Sequence, residues 1–217
     1  MPSTDIAIIG LACRFPAAAN PAEFWRLICD GVEVTQLPGN VADFDADFFN
    51  LSPREARAMD PRQRLALELT WELFEDALVV PDTVRGEHVA VYLGAMNDDY
   101  AFLTVAADDN VDHYSFAGIS RGMIANRISF AFGLHGPSMT VDSGQSSSLV
   151  GVHLACESLW TGASPLAIAG GVHLNLASET AMLETEFGAL SPSGHTYAFD
   201  EMVCSSTPST PRSRRSR

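Results

Sequence analysis

Thr140 to Gly151 reads TVDSGQSSSLVG. A β-rich run meets a small-residue corner, a serine cluster follows, and an amphipathic helix begins. The first turn of a helix offers unpaired N–H groups and the positive end of the helix dipole. Such a corner favours negative charge, whether on a phosphate, a thiolate or an oxyanion. The residue at the corner is Gln145. Its neutral amide has no proton to shed and cannot attack a carbonyl, but it can donate hydrogen bonds. A serine-hydrolase elbow would read G-x-S-x-G. Gly144-Gln145-Ser146-Ser147-Ser148 supplies the first glycine and the serine but lacks the second glycine, and no His/Asp partner pattern accompanies it. The plainer alternative is that Ser146, Ser147 and Ser148 cap the helix. That accounts for the serines and leaves the glycine corner unexplained.

The elements that must position this corner alternate in type. DIAIIG, Asp5 to Gly10, reads as a short buried strand closed by glycine. The next residues, GLACRF, do not match G-x-G-x-x-G, so a dinucleotide site is excluded there. NPAEFWRLICDG predicts a helix with Phe24, Leu27 and Ile28 on one side and Gly31 as its stop. The clearest helix is DPRQRLALELTWELFEDAL. Asp60 is its N-cap, Pro61 its first residue and Gln63 the reciprocal member of a capping box. Leu65, Leu69, Leu73 and Ala77 recur every four residues, with Trp71 and Phe74 widening an apolar face that belongs to a core. A strand is expected at Val89 to Leu93 and a helix near Arg121 to Phe132, broken by Gly133 and Gly136. PSMTVD is a strand into the corner. SSSLVGVHLACESLWTG is the helix out of it, with Cys156 a small buried residue about 16 Å beyond Gln145 and His153 an interior histidine. PLAIAGGVHLNL is a further buried strand from Leu166. Nearly all-apolar strands alternating with helices argue for an α/β layered fold with a mainly parallel sheet covered on both faces.

Composition fits a globular chain: 217 residues, 47% apolar and 18% charged. Net charge is −14, and all 13 basic residues are arginine, four of them in the last six positions. So acidic a body repels nucleic acid and anionic membrane. No uncharged apolar run reaches about 18 residues, so no membrane span is expected, and MPSTDIAIIG does not read as a secretory signal. Cys13, Cys29, Cys156 and Cys204 are scattered, as reduced thiols are in a cytoplasmic protein. From Met202 the sequence MVCSSTPSTPRSRRSR loses all periodicity and is expected to be disordered. A lysine-free, Arg-rich chain suggests GC-rich coding DNA, and the expectation for this end is a frame-shifted or otherwise non-native tail.

VDSGQSSSLVGVHLACESL resembles the active-site segment of β-ketoacyl synthase domains of modular polyketide synthases, where a cysteine usually precedes the serines. It is more similar still to the glutamine-bearing loading-module subtype, KSQ. IAIIGLACRFP resembles the family's opening, and FDADFFNLSPREARAMDP with DPRQRLALELTWELFEDA its early segment and helix. RGMIANRISFAFGLHGPSMTVD resembles the approach to the active-site turn, and LAIAGGVHLNL and FGALSPSGHTYAFD follow in the family's order. The resemblance runs from about Asp5 to Asp200.

It implies a thiolase-like layered α-β-α fold, of which this chain holds the N-terminal half of a duplicated architecture. Residues 1–201 would be a truncated N-terminal ketosynthase domain and 202–217 a disordered tail. The resemblance makes Gln145 the catalytic position. Glutamine there abolishes condensation, which needs a cysteine thioester, but leaves decarboxylation of a malonyl- or methylmalonyl-thioester. That reaction produces an enolate, and one donor aimed at its oxygen is worth about 3 kcal/mol. The implied substrate rides on the phosphopantetheine of an acyl carrier protein, with no cofactor bound directly. The implied partners are that carrier protein, a neighbouring acyltransferase domain and a second copy pairing through PSMTVD, with no nucleic acid or membrane. The family's catalytic histidines belong to HGTGT and NxGH motifs, and neither occurs here, so no histidine is assigned. This chain alone is expected to be inactive and to expose apolar surface. The alternative reading is a non-catalytic ketosynthase remnant or interaction fragment.

Overall fold

In the computed structural model, residues 5–34, 41–107 and 111–188 are described, so the tail from Met202 and the histidine at 195 lie outside them. The chain divides into two compact units, Met1–Leu174 and Asn175–Arg217. The first holds a three-stranded parallel sheet formed by β1 (Val89–Gly94), β2 (Ser138–Val141) and β3 (Leu166–Gly171), in the order β2-β1-β3. β1 is central, with Val91 opposite Ser138 on one side and Val89 opposite Leu166 on the other. Parallel strands need long crossovers, and the helices supply them.

All six β1 residues are buried, as a strand covered on both faces requires. Val89, Val91 and Leu93 join the larger core with α3 (Pro61–Asp76) and α7 (Met123–Phe132). The alternate residues Ala90 and Tyr92 meet Ala155 of α8 (Ser147–Trp160) on the other face. The Tyr92 hydroxyl is 2.7 Å from Ser158 Oγ, so its polar end is satisfied inside that layer. The expected layered α/β architecture is present in this unit.

Helix boundaries follow their signals. In α1 (Pro21–Asp30), Asn20 Oδ1 accepts the Glu23 N–H at 3.0 Å, and Gly31 closes the helix at φ +62°. In α3, Asp60 Oδ1 accepts the Arg62 N–H at 2.8 Å with Pro61 in the first turn. Gln63, expected as a capping-box partner, does something else. It is fully buried, and its amide donates to the carbonyls of Gly118 (2.8 Å), Ala117 (3.1 Å) and Ser120 (3.3 Å), around the end of α6 (Ser115–Ile119). Its Oε1 accepts from Arg127 Nε at 2.8 Å, and Arg127 also pairs with Glu55 of α2 (Pro53–Ala58). The buried face of α3 runs through Gln63, Ala66, Leu67, Thr70 and Phe74, so the leucine stripe predicted at 65, 69 and 73 is its half-buried flank. Trp71 packs on Phe48 and Phe132 and is a core residue, as expected. The short α4 (Pro81–Val84) leads into β1, and α5 (Asp99–Ala106) follows the loop after it.

DIAIIG is not a strand. A strand needs a ladder partner, and Ile6 to Gly10 have none among the described residues. Gly10 lies against the end of α3, and the Leu11 N–H donates to Asp76 Oδ2 at 2.7 Å. Ile8 is 79% exposed. Exposed apolar side chains recur at Phe116, Phe130 and Leu149, as expected of this chain. In the second unit, α9 (Ser178–Phe187) ends at Gly188 in the left-handed region.

Candidate functional site

The corner sits where the carboxyl ends of all three strands converge, the place where open α/β sheets put their ligands. β2 runs through Val141 to Asp142, the chain turns at Ser143–Gln145, and α8 begins at Ser147. Gly144 makes the turn with φ +68°, a region in which an L side chain is strained. Ser147 Oγ accepts the Ser143 N–H at 3.0 Å and donates to the Gly144 carbonyl, and the Ser147 N–H also reaches that carbonyl at 3.1 Å. Ser146 turns its hydroxyl back onto the Ser143 carbonyl at 3.0 Å and does not cap α8. The capping account of the serines therefore fails for Ser146. Ser147 braces the turn, and the first turn of α8 keeps the positive end of its dipole towards the corner.

Close packing fixes the height of that turn over the sheet. A methyl on Gly94, the last residue of β1, would lie 2.5 Å from the Ser148 nitrogen, and one on Gly171, the last of β3, would lie 2.7 Å from Ser148 Cβ. Only hydrogen at both positions lets α8 start directly above two strand ends.

An ion-pair chain ties the corner sideways. Arg121 pairs with Asp142 and with Asp98, the latter through Nε at 3.0 Å, and Asp142 Oδ1 accepts the Gly144 N–H at 3.1 Å. Arg121 beside Asp98 holds that carboxyl below the usual aspartate range, and the two carboxylates raise Arg121 in turn. On the far side of Asp98, Arg62 is buried against Asp60 (2.6 Å) and donates to the Met96 and Asn97 carbonyls at 2.8 Å each. The loop after β1 is thereby fastened both to α3 and to the corner.

Gln145 stands two residues before α8, on the turn, where the sequence placed it. It is exposed, and its side-chain amide makes no hydrogen bond with any described residue, while its backbone bridges to Ser143 across the turn. A groove of about 160 Å³ between β3, α3 and Gly10–Ala12 does not include it. His153, expected inside, is 64% exposed and lies 3.6 Å from Glu157. The buried face of α8 passes through Ser147, Gly151, Ala155 and Ser158, and two residues beyond Gly151 is the opposite side of a helix. Cys156 is half-buried rather than buried, and Cys13, Cys29 and Cys156 are free thiols. Sequence reasoning missed Arg121, Asp142, Asp98, Gly94 and Gly171. The terminal glycines of VAVYLG and AIAGG were the visible signal for the last two. The aspartates and arginine carried none, because the pairings are long-range.

A parallel α/β layer with a helix N-terminus over its strand ends is here the N-terminal region of a thiolase-like ketosynthase fold. The structure superposes with a TM-score of 0.81 on an oxazolomycin ketosynthase domain of Streptomyces albus, at 29% identity, over 89% of this chain and 38% of that one. It superposes at 0.78 on the ketosynthase from module 6 of the bacillaene synthase of Bacillus subtilis, at 33% identity, over 87% of this chain and 34% of that one. In sequence it is 49% identical to the polyketide synthase GfsA of Streptomyces halstedii over 90% of this chain, which is 3% of that protein. The family described as β-ketoacyl synthase, N-terminal domain, matches residues 3–41 and 33–202. The chain belongs to that family, as the N-terminal portion of a ketoacyl-synthase domain of the polyketide synthase kind, and spans about a third of the ketosynthases it matches. Among the described residues no helix is long and apolar enough to cross a membrane.

Proposed function

We propose that this chain is the N-terminal part of a loading-module ketosynthase domain of the glutamine-bearing type, which decarboxylates malonyl- or methylmalonyl-acyl carrier protein to make a starter unit. The observation that carries the reading is Gln145, an amide on the turn at the positive end of α8, at the position where the resembled active-site segment has its cysteine. An amide N–H there can stabilise an enolate oxygen but cannot hold an acyl chain. The substrate is presented on carrier-protein phosphopantetheine, with an acyltransferase domain as neighbour. β2, an edge strand of the sheet, is the surface for pairing with a second copy.

For this chain alone we infer inactivity, because Gln145 is exposed. In water a single donor loses most of the strength it has in a dry site. Release of CO2 from malonyl-carrier protein tests the reading. The chain alone should release none. Combined with the C-terminal part of a ketosynthase domain, it should release CO2, and Gln145→Ala should lower that rate by about two to three powers of ten. Gln145→Cys should instead accumulate an acyl-enzyme visible by mass spectrometry. Equal CO2 release by the combined wild type and Gln145→Ala would refute the role of the amide.

A further inference from the structure

We propose that Asp142, clamped by Arg121, is a positioning residue for the corner: one carboxylate oxygen holds the Gly144 turn, Arg121 holds the other, and the pair fixes where position 145 points. This holds whichever reaction position 145 serves.

Gly144 is the loosest residue of the turn. Its φ of +68° lies where L side chains rarely go, and a glycine without an outside hold samples many conformations. Four backbone groups ahead of Gln145 are engaged. The Ser143 N–H donates to Ser147 Oγ at 3.0 Å, the Ser143 carbonyl accepts from Ser146 Oγ at 3.0 Å, and the Gly144 carbonyl accepts the Ser147 N–H at 3.1 Å. Those three holds come from α8 and the residue that starts it, and they move with that helix. The fourth group, the Gly144 N–H, donates instead to Asp142 Oδ1 at 3.1 Å, in the manner of an Asx turn.

The second oxygen of Asp142 accepts from Arg121 Nη1. Arg121 is itself set from several sides. Its Nε and Nη2 edge grips the two oxygens of Asp98, Nε at 3.0 Å. The carbonyl before it, of Ser120, accepts from the buried Gln63 amide at 3.3 Å, and the carbonyl after it, of Gly122, accepts from the Thr140 hydroxyl at 3.5 Å. A guanidinium presents its donors in fixed directions, so an arm held in this way sends Nη1 one way only. Stability does not account for the cluster. Arg121, Asp98 and Asp142 are 30%, 38% and 39% exposed, and exposed ion pairs contribute little to folding. What a fork spanning two carboxylates supplies is geometry.

A thiol at position 145 reports that geometry. At the start of a helix a thiol ionises below the ordinary cysteine value of about 8.5, and it loses that advantage on swinging into water. The charged groups joined to the turn are Asp142, Arg121 and Asp98, with Arg62 and Asp60 buried behind them. Along α8 the first titratable residue is His153, about two turns on.

The experiment measures iodoacetamide alkylation against pH by peptide-resolved mass spectrometry, in the full 217-residue chain carrying Gln145→Cys. Asp142→Asn and Arg121→Gln are then added singly and together. The introduced thiol should titrate at least about one unit below 8.5, and each added substitution should raise it by at least about half a unit. Charge alone predicts opposite signs, because Asp142→Asn removes a negative neighbour and Arg121→Gln a positive one. It also predicts that the double variant returns to the parent value. A shared clamp predicts a rise in all three, with the double no higher than the larger single. Asp142→Asn keeps an acceptor for the Gly144 N–H, so a parent-like value there would show that the local turn suffices and would overturn the proposal. Opposite signs, or an introduced thiol that titrates at about 8.5 in the parent, overturn it as well. Cys156, half-buried on α8, is read in the same spectra and should alkylate at an unchanged rate. If Cys156 quickens in step with position 145, the substitutions have loosened the helix and the positioning role fails. None of these outcomes depends on turnover, so they are separate from the CO2 test of the decarboxylase reading.

Discussion

Replacing Gly94 by alanine tests how the corner is held over the sheet. The added methyl would lie 2.5 Å from the Ser148 nitrogen, 2.6 Å from the Ser147 carbonyl carbon and 2.8 Å from Ser148 Cα. Favourable carbon contacts begin near about 3.5 Å, so the overlap approaches an ångström, and it is with backbone rather than the free end of a side chain. The first turn of α8 must therefore rise off the strand ends. Overpacking a well-filled site costs about 1–3 kcal/mol. The upper end applies here, because Ser147 also ties that turn to the Ser143 N–H. Urea unfolding followed by circular dichroism should show a lower midpoint at unchanged slope. Gly151→Ala is the internal control. Its methyl would sit 3.2 Å from the Tyr92 carbonyl, a contact that a shift of a few tenths of an ångström relieves, and it should cost less than about 1 kcal/mol. Gly171→Ala presses on the same Ser148 from β3. Once one methyl has lifted the helix the second meets less resistance, so the double variant should cost at least about 0.5 kcal/mol less than the sum of the singles. A Gly94→Ala chain within about 0.5 kcal/mol of wild type, or strict additivity with Gly171→Ala, would refute this account of the corner.

Arg62→Met strands the Asp60 carboxylate in a site where it is 2% exposed and leaves the Met96 and Asn97 carbonyls without their donor. Calorimetry should show a loss of about 3–5 kcal/mol. Gln63→Leu removes the hydrogen-bonding partner of three carbonyls and of Arg127 inside the core, and denaturant unfolding should show a loss of about 2–3 kcal/mol. The Asp98 carboxyl is held low by Arg121, so its contribution to stability is complete above the ordinary aspartate value of about 4 and drains away as pH falls below that value. Arg121→Gln should flatten this acid limb when stability is measured from pH 6 downwards. An unchanged acid limb would show that the pair does not hold Asp98 low.

Local signals were legible wherever one residue decides a local conformation. Asn20 and Asp60 start helices, Gly31 and Gly133 stop them, and VAVYLG is buried on both faces as its composition demanded. The turn at Gly144 and the position of Gln145 before α8 were equally plain, since a tight corner between a strand and a helix leaves its mark within five residues. What escaped depends on partners distant in sequence. DIAIIG has the composition of an inner strand, but a strand is a relation between two segments, and no described residue pairs with Ile6 to Gly10 in a ladder. Gln63 looked like a local cap, but its acceptors lie 54 to 57 residues away. His153 was misplaced because every face of α8 carries apolar residues, so sequence alone could not say which face is inward.

α3 is fastened at both ends to different parts of the molecule. Its N-terminus is locked through Arg62 to the loop that reaches Arg121 and the Gly144 turn, and near its C-terminus Asp76 takes the Leu11 N–H beside the groove. Its 16 residues make it a rod about 24 Å long. Such a strut carries tilt from one end to the other, so whatever seats itself against Leu11 also sets the pitch of the surface on which Gln145 stands.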